Sequence, residues 1–188
     1  MLGELEDLIE ARLKELNAKL PRLAVASYGG ELSDPDLLPD LLKRCPTILL
    51  MVPRAALTRK AHGRYSVLIT FRLVIATRHP RGERETRRGT TPTDIGSYAL
   101  WEACMHQLVE WQPWENRAAI RPTELSNLVN GKFASDHLSV LGQSFVIELD
   151  WERPTEALPD LLGINMAYHS PAGNPQPVAT DNVKLGDM

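Results

Sequence analysis

Five arginines within eleven residues form the densest group of one side-chain chemistry in this chain of 188 residues. They are Arg78, Arg81, Arg84, Arg87 and Arg88, and the acidic residues among them are Glu83 and Glu85. Guanidinium groups bind phosphate and carboxylate oxygens, so this arginine segment (residues 78–88) predicts a negatively charged partner. DNA phosphate and the acidic final third of another copy both fit, and a solvated loop without a partner is the alternative.

Charge is segregated along the whole chain. Residues 53–89 carry ten basic and two acidic side chains, whereas residues 90–188 carry five basic and thirteen acidic ones. A second basic group, Arg54, Arg59, Lys60 and Arg64, precedes the longest apolar run, which the arginine segment follows. Such segregation indicates a nucleic-acid footprint or two opposite faces that meet between identical subunits.

The stretch "ASYGGELSD" (residues 26–34) places Gly29 and Gly30 between a predicted strand and a predicted helix. A dinucleotide turn needs glycines at the first, third and sixth positions, and a P-loop needs a Lys followed by Ser or Thr. Neither pattern is present, and Glu31 and Asp34 would repel a phosphate. We therefore expect a structural turn with positive φ at one of the two glycines, and no cofactor.

The remaining reactive side chains do not form a recognisable catalytic or metal-binding pattern. The histidines are scattered and lack the i, i+4 spacing of a helical zinc site; they are His62, His79, His106, His137 and His169. Glu102 and His106 could act together, but Trp101 and Met105 beside them indicate a helix that packs on a sheet. Isolated thiols such as Cys45 and Cys104 are usually buried and reduced. The sequence predicts no enzyme and no metal site.

Apolar periodicity predicts two main helices. Leucines and isoleucines at helical spacing from Leu2 to Leu20 indicate a helix that lies on other structure. A second helix is predicted from Thr93 or Asp94 to about Trp111, with Ile95, Tyr98, Trp101, Met105 and Leu108 along one face. The matching stripes predict that both helices cover the same sheet face. A shorter helix is expected after a Ser33 or Asp34 cap, with Pro35 at its first position.

The clearest strand spans residues 66–76, where alternate residues form a wholly apolar face: Val67, Ile69, Phe71, Leu73 and Ile75. Further strands are predicted in "RLAVASY", in the proline-bounded "PTILLMVPR", in residues 118–133 with an "NGK" turn at 130–132, and at the end of "HLSVLGQSFVIELDW". The last of these places Phe145, Ile147, Leu149 and Trp151 on one side. The arginine segment is predicted to be a long exposed loop.

Length and composition favour a single domain. A chain of this length with 43% apolar residues can bury one core, which we assign to residues 1–152. Residues 153–188 are rich in proline and lack periodicity, so an extended tail is expected, mobile unless a neighbour holds it. The apolar runs are too short to span a bilayer, and the acidic N-terminus lacks an export signal, so we expect no membrane contact and a cytoplasmic location.

The order of these elements, with particular residues in them, resembles the Mu-like phage tail-terminator (tail-completion) proteins. The resemblance rests on the N-terminal "LEDLIEARLKE", "SYGGEL" after the first strand, "PTILLMVP", the long strand followed by "HP", and the Tyr and Leu positions of the helix at 94–111. It covers roughly residues 1–152. It implies an α/β (α+β) unit with two helices packed on a mixed or mainly antiparallel sheet, and it brings no catalytic residues.

Tail terminators generally form rings, usually hexameric, that cap the tail tube and meet the head connector. The resemblance therefore implies that the partners are further copies of the chain, the tail tube protein, the head–tail connector protein and DNA in the ring lumen. A subunit that needs the tube end as a template would be a monomer in isolation. The implied location is the head-proximal end of the virion tail, reached from the host cytoplasm during assembly.

Two other classes of function stay open. A nucleic-acid-binding phage accessory protein would use the basic residues 53–89, although the pI of about 6.0 and the lack of aromatic residues within the arginine segment are unlike a dedicated binder. A phage nuclease or lysis factor would need clustered carboxylates or a histidine-based site, and the sequence offers neither.

Overall fold

The computed structural model describes residues 1–34, 36–91, 94–128, 137–154, 163–168, 176–177 and 179–184. The helices in these ranges are α1 (Leu2–Lys14), α2 (Leu38–Arg44), α3 (Glu83–Arg88) and α4 (Ser97–Leu108), and a 3-10 turn (Glu15–Ala18) follows α1. The strands are β1 (Ala24–Ser27), β2 (Thr47–Ala61), β3 (Arg64–Arg78), β4 (Gly89–Thr91), β5 (Asp94–Ile95), β6 (Arg121–Asn127), β7 (Leu138–Glu152), β8 (Gly163–Tyr168) and β9 (Ala179–Lys184). No helix within the described ranges has the length and apolar character to cross a membrane.

A five-stranded sheet with the order β1-β2-β3-β7-β6 forms the centre of the unit Met1–Glu152. β1 pairs with β2 in parallel, and the other neighbours are antiparallel. β3 is central and pairs along its length with β2 and β7. The predicted fold class, an α+β unit with a mixed, mainly antiparallel sheet, is confirmed.

The main core lies between the two long helices and one face of the sheet. α1 contributes Leu5, Ile9 and Leu13, and α4 contributes the triad Leu100, Cys104 and Leu108; all six side chains are fully buried. On the sheet, Phe71 of β3 stacks against Phe145 of β7, with ring centroids 5.2 Å apart. The prediction that both helices cover the same sheet face is confirmed.

The predicted face of α4 is wrong in part. Leu100, Cys104 and Leu108 point to the core, whereas Tyr98 is 48% exposed. The predicted residues recur mostly every three positions, and at about 100° per residue such a row drifts around the helix, while a spacing of four stays close to one side. The helix also begins at Ser97, later than predicted, because Asp94 and Ile95 form β5.

Two predictions that involved prolines also need correction. α2 begins at Leu38 with Pro39 in its first turn, where a missing N–H breaks no helical hydrogen bond; Asp34 accepts a hydrogen bond from the N–H of Asp36 outside the helix. Pro35 lies outside the described residues. β2 does not end near Pro53, because the pairing with β3 shifts register between Met51 and Arg54 and the irregularity accommodates the proline.

The opposite face of the sheet is covered at one end by α2. Leu41 of α2 packs there against Leu49 and Val74 in a smaller core. The second unit, Arg153–Met188, contains β8 and β9, which pair as an antiparallel ladder and were not predicted from the sequence. The predicted "NGK" turn at 130–132 lies outside the described residues.

Candidate functional site

The arginine segment is a fixed platform and not the long exposed loop that the sequence predicted. It leaves the end of β3, turns at residues 79–82 and forms the short helix α3 (Glu83–Arg88) before β4 begins at Gly89. The sequence pattern concealed this helix because its inward side carries one small polar residue, Thr86, and no apolar stripe. Three sets of contacts hold the platform against the sheet.

The first set is centred on His79, a largely buried side chain directly after β3. Its Nδ1 accepts a hydrogen bond from the backbone N–H of Arg81 at 3.0 Å. Nδ1 therefore carries no proton, and Nε2–H faces Asp94 Oδ2 at 3.0 Å. The imidazole thus links β5 to the turn that carries Arg81.

The second set is centred on Thr86, which is 1% exposed. Its hydroxyl lies 2.7 Å from the carbonyl oxygen of Gly82 and 2.9 Å from that of His137, so its proton can be donated to either. The Thr86 carbonyl accepts a hydrogen bond of 2.8 Å from the hydroxyl of Thr77 on β3. These contacts fix α3 to the end of β3 and to the start of β7.

The third set is a close approach of two backbones at Gly89 and Gly96. Gly89 has φ of 76°, and a Cβ there would lie 2.4 Å from the carbonyl oxygen of Asp94. A Cβ at Gly96 would lie 2.3 Å from the carbonyl oxygen of Arg87. Real Cβ atoms do not come so close to other atoms, so both positions require glycine, and the end of α3 is held directly against the chain that enters α4.

The five arginines do not all point to one place. Arg87 pairs with Glu83 one turn earlier, at 3.4 Å. Arg84 and Arg88 are one helical turn apart on α3, and with Arg81 they are exposed and form no ion pair among the described residues. Arg78 lies apart from them, at the rim of a cavity of about 550 Å³. The platform therefore offers three guanidinium groups, those of Arg81, Arg84 and Arg88, to an anionic partner.

Much of the other basic charge is neutralised within the chain. Lys60 binds Asp150 at 2.7 Å, and Arg64 binds Glu152 at 3.0 Å, across the ends of β2, β3 and β7. The hydrogen bond from Lys60 holds the pKa of Asp150 below its usual value. The opposite charges of residues 53–89 and 90–188 thus pair partly within one subunit. The net charges of the two segments therefore overstate the number of unpaired charges that could bind a neighbouring subunit.

The Gly29-Gly30 turn is occupied by a carboxylate of its own chain. Gly30 has φ of 101°, and Glu31, which is 6% exposed, accepts a hydrogen bond from the N–H of Gly29 at 2.8 Å and pairs with Arg44 at 3.0 Å. Burial alone would raise the pKa of Glu31, but hydrogen bonds from backbone N–H groups and from Arg44 bring it below its usual value. A phosphate would meet a buried anion at this turn.

Other reactive groups show no assembled site. Cys45 and Cys104 are free thiols, and burial raises their pKa to about 11 and about 12. Glu102 and His106 are both exposed on α4. Over the part of the chain that the structure describes, no three His, Cys, Asp or Glu side chains come together as a metal site.

Sequence reasoning found the arginines and missed the residues that hold them. His79, Asp94 and Thr86 are isolated polar residues in the sequence, and their contacts depend on how the turn at 79–82, α3 and β5 fold back onto the end of β3. The one available signal was the "HP" pair after the long strand, since a histidine directly after a buried strand stays near the sheet.

The platform and the sheet belong to the part of the chain that matches a known family. A family model described as "Bacteriophage Mu, Gp37" matches residues 1–150. The match ends close to Glu152, where the first compact unit also ends. A search of curated proteins finds no match for the chain.

Proposed function

The chain belongs to the bacteriophage Mu, Gp37 family, a family of phage structural or morphogenesis proteins, and from this premise we propose that it is a tail terminator. In this role the chain forms a ring that caps the tail tube at the head-proximal end of the virion and joins the tail to the head connector. The observation that carries the proposal is the family match over residues 1–150 of the first unit, Met1–Glu152.

The arginine platform supports an assembly role. Arg84 and Arg88 lie on the short helix α3 and Arg81 lies in the turn before it, and both the turn and the helix are held against the rest of the unit, so the backbone that carries the three arginines is ordered before a partner binds. Exposed, unpaired guanidinium groups on a rigid element suit contact with phosphate in a DNA-filled lumen or with carboxylates of a connector protein. In this proposal the chain has no catalytic function, and its partners are its own copies, the tail tube protein, the connector and passing DNA.

The oligomer that acts is a ring, proposed to be a hexamer on the tube. A head-to-tail ring uses two different surfaces of each subunit, so ring formation does not require a self-complementary patch. If the tube end is the template, the isolated subunit is a monomer, and the solution mass alone does not test the proposal.

Complementation in the parent phage tests the role. Deletion of the gene should give tails of uncontrolled length or tails separated from heads when particles are viewed by electron microscopy. Uniform, head-joined tails in the deletion would refute the tail-terminator role.

The platform is tested by replacing Arg81, Arg84 and Arg88 together with serine. The variant should fold, because exposed charges contribute little to stability, and should fail to complement the deletion. The matched control replaces Lys19, Arg54 and Arg117, which are also exposed and without an ion pair among the described residues, and should complement. If the two variants complement the deletion equally well, the platform is not part of the assembly surface.

The second candidate function is a nucleic-acid-binding phage accessory protein, favoured by the same unpaired arginines. In that case the purified chain should bind duplex DNA with an affinity that falls steeply with salt, by a slope of about 0.9 per phosphate contacted on logarithmic axes. The variant with serine at Arg81, Arg84 and Arg88 should then show a salt-dependence slope smaller by about three, about one for each arginine removed. Such binding, together with normal tails in the deletion, would favour this function.

A further inference from the structure

The joined ends of β2 and β3 project beyond the helices and leave an apolar patch uncovered. We call it the hairpin patch, and it consists of the apolar and aromatic side chains of Ala55, Leu57, Tyr65 and Trp151 together with the charged side chain of Arg59. Leu57 is 62% exposed and Trp151 39% exposed, and Tyr65 contacts Trp151 with ring centroids 5.8 Å apart. The strand register places all five on the sheet face that carries α1 and α4. Contiguous exposed apolar and aromatic side chains of this kind mark a protein contact surface.

The reverse side of the same strand ends is braced by polar contacts. Lys60 and Asp150, and Arg64 and Glu152, form the ion pairs described above, and the hydroxyl of Ser66 donates to Glu148. The projecting end is therefore a defined shape with one apolar side, and it suits insertion into a concave partner.

A concave surface of matching character lies between α4 and β6. This α4–β6 groove has a volume of about 500 Å³ and is lined by Arg88, Tyr98, Trp101, Glu102, Leu125 and Leu141. Tyr98 is 48% exposed and Leu125 46% exposed, and the indole N–H of Trp101 is used inside the protein on Gln143. The groove thus presents apolar walls, with one acidic and one basic side chain at its rim.

The two surfaces lie on the same face of the sheet but at opposite edges of it. β1 pairs with β2 only at Thr47–Leu50, so at Leu57 β2 is the outermost described strand, and β6 is the outermost described strand on the other side. One copy cannot bring its own hairpin patch to its own groove, because Trp151 of the patch and Leu141 of the groove lie ten residues apart on the same extended strand, β7. A contact between them joins two copies head to tail, which is the geometry that generates rings.

We infer that the hairpin patch of one subunit inserts into the α4–β6 groove of the next subunit of the proposed ring. Leu57 lies against Tyr98 and Leu125, and Arg59 meets Glu102, which forms no ion pair among the described residues. This inference rests on the proposed function, since a ring requires two unlike surfaces on each copy.

Cysteine cross-linking tests the contact. The variant with Leu57→Cys and Leu125→Cys is treated with a short bis-maleimide, both as concentrated protein and in tails from phage that carry the variant gene. Both positions are exposed, so the fold should be unchanged by circular dichroism. Cys45 and Cys104 serve as silent background, because their raised pKa keeps them protonated at neutral pH. The expected product is a ladder of linked subunits that extends beyond the dimer.

Single-cysteine variants make the geometry explicit. A mixture of the Leu57→Cys and Leu125→Cys proteins should give dimers and nothing longer, and each alone should stay unlinked. Dimers from Leu57→Cys alone would show a two-fold contact and overturn the inference. A matched control with Leu57→Cys and Lys19→Cys should give no ladder.

A charge-reversal experiment distinguishes cross-links formed through the proposed contact from cross-links formed by random collision. Glu102→Arg in the double-cysteine variant should abolish the ladder, and adding Arg59→Glu should restore it. Absence of cross-links both in solution and in tails would overturn the inference. The gene deletion tests the tail role without reference to this contact, so unlinked subunits together with defective deletion tails would refute the contact alone.

Discussion

Truncation of Phe71 to alanine removes the aromatic ring at the centre of the main core. Phe71 is 0% exposed, lies on the central strand between β2 and β7, and stacks on Phe145 with ring centroids 5.2 Å apart. A fully buried Phe→Ala change typically costs about 3–5 kcal/mol, because the transfer free energy of the ring is lost and a cavity remains. We expect a value in the upper half of this range, since paired strands on both sides limit collapse of the cavity.

Urea denaturation followed by circular dichroism measures the loss, and a drop in the thermal midpoint of roughly 6–20 °C should accompany it. Leu57→Ala is the matched control, because Leu57 is 62% exposed and should change the free energy of unfolding by no more than about 0.5 kcal/mol. A double-mutant cycle with Phe145→Ala should give a coupling of about 0.5–1.5 kcal/mol for the stacked pair. A loss below about 1 kcal/mol for Phe71→Ala would refute the assigned core.

Three further outcomes follow from the turn, the thiols and one buried carboxylate. Gly30→Val should lower stability because φ is 101° there, while titration of the parent protein with ATP or GTP shows no binding; saturable micromolar binding would contradict this. Cys45, which is partly buried, and Cys104, which is buried, have pKa values of about 11 and about 12 and should react with maleimide only slowly at pH 8 unless the protein is unfolded; rapid labelling of the native chain would contradict the raised pKa values. Glu31 has a lowered pKa, so its stabilisation is present above the usual value of 4.5 and is lost as pH falls through the lower folded-state value; the stability advantage over Glu31→Gln should shrink in that acid range, and an unchanged difference would argue against the assigned contacts.

Local pattern was sufficient for the elements whose own side chains specify them. The alternation around Phe71 specified the central strand, and the helical spacing from Leu5 to Leu13 specified α1, because a two-residue or 3.6-residue period needs no knowledge of partners. The arginines of the candidate site could also be read directly, since their charge density is a property of the sequence.

Local sequence pattern did not predict elements whose extent or buried face depends on a neighbouring element of the fold. Pro53 appeared to end a strand, and it is tolerated because the pairing of β2 with β3 shifts register beside it. The face of α4 was misassigned at Tyr98, because the sequence offers two overlapping apolar rows and only packing on the sheet selects one. Local propensity is a weak guide wherever such tertiary contacts decide between alternatives.

By itself the sequence determined the layer of helices on a sheet, the density of arginines in residues 78–88 and the resemblance to phage tail proteins. The tertiary structure decided how that platform is held and which charges remain for a partner. Asp94 of β5 reaches His79 although α3 and β4 lie between them in the chain, and Asp150 neutralises Lys60 from ninety residues away. The Lys60–Asp150 pair forms because strand register brings distant residues together, and register is fixed by burial of the apolar face, where a one-residue slip would expose the core.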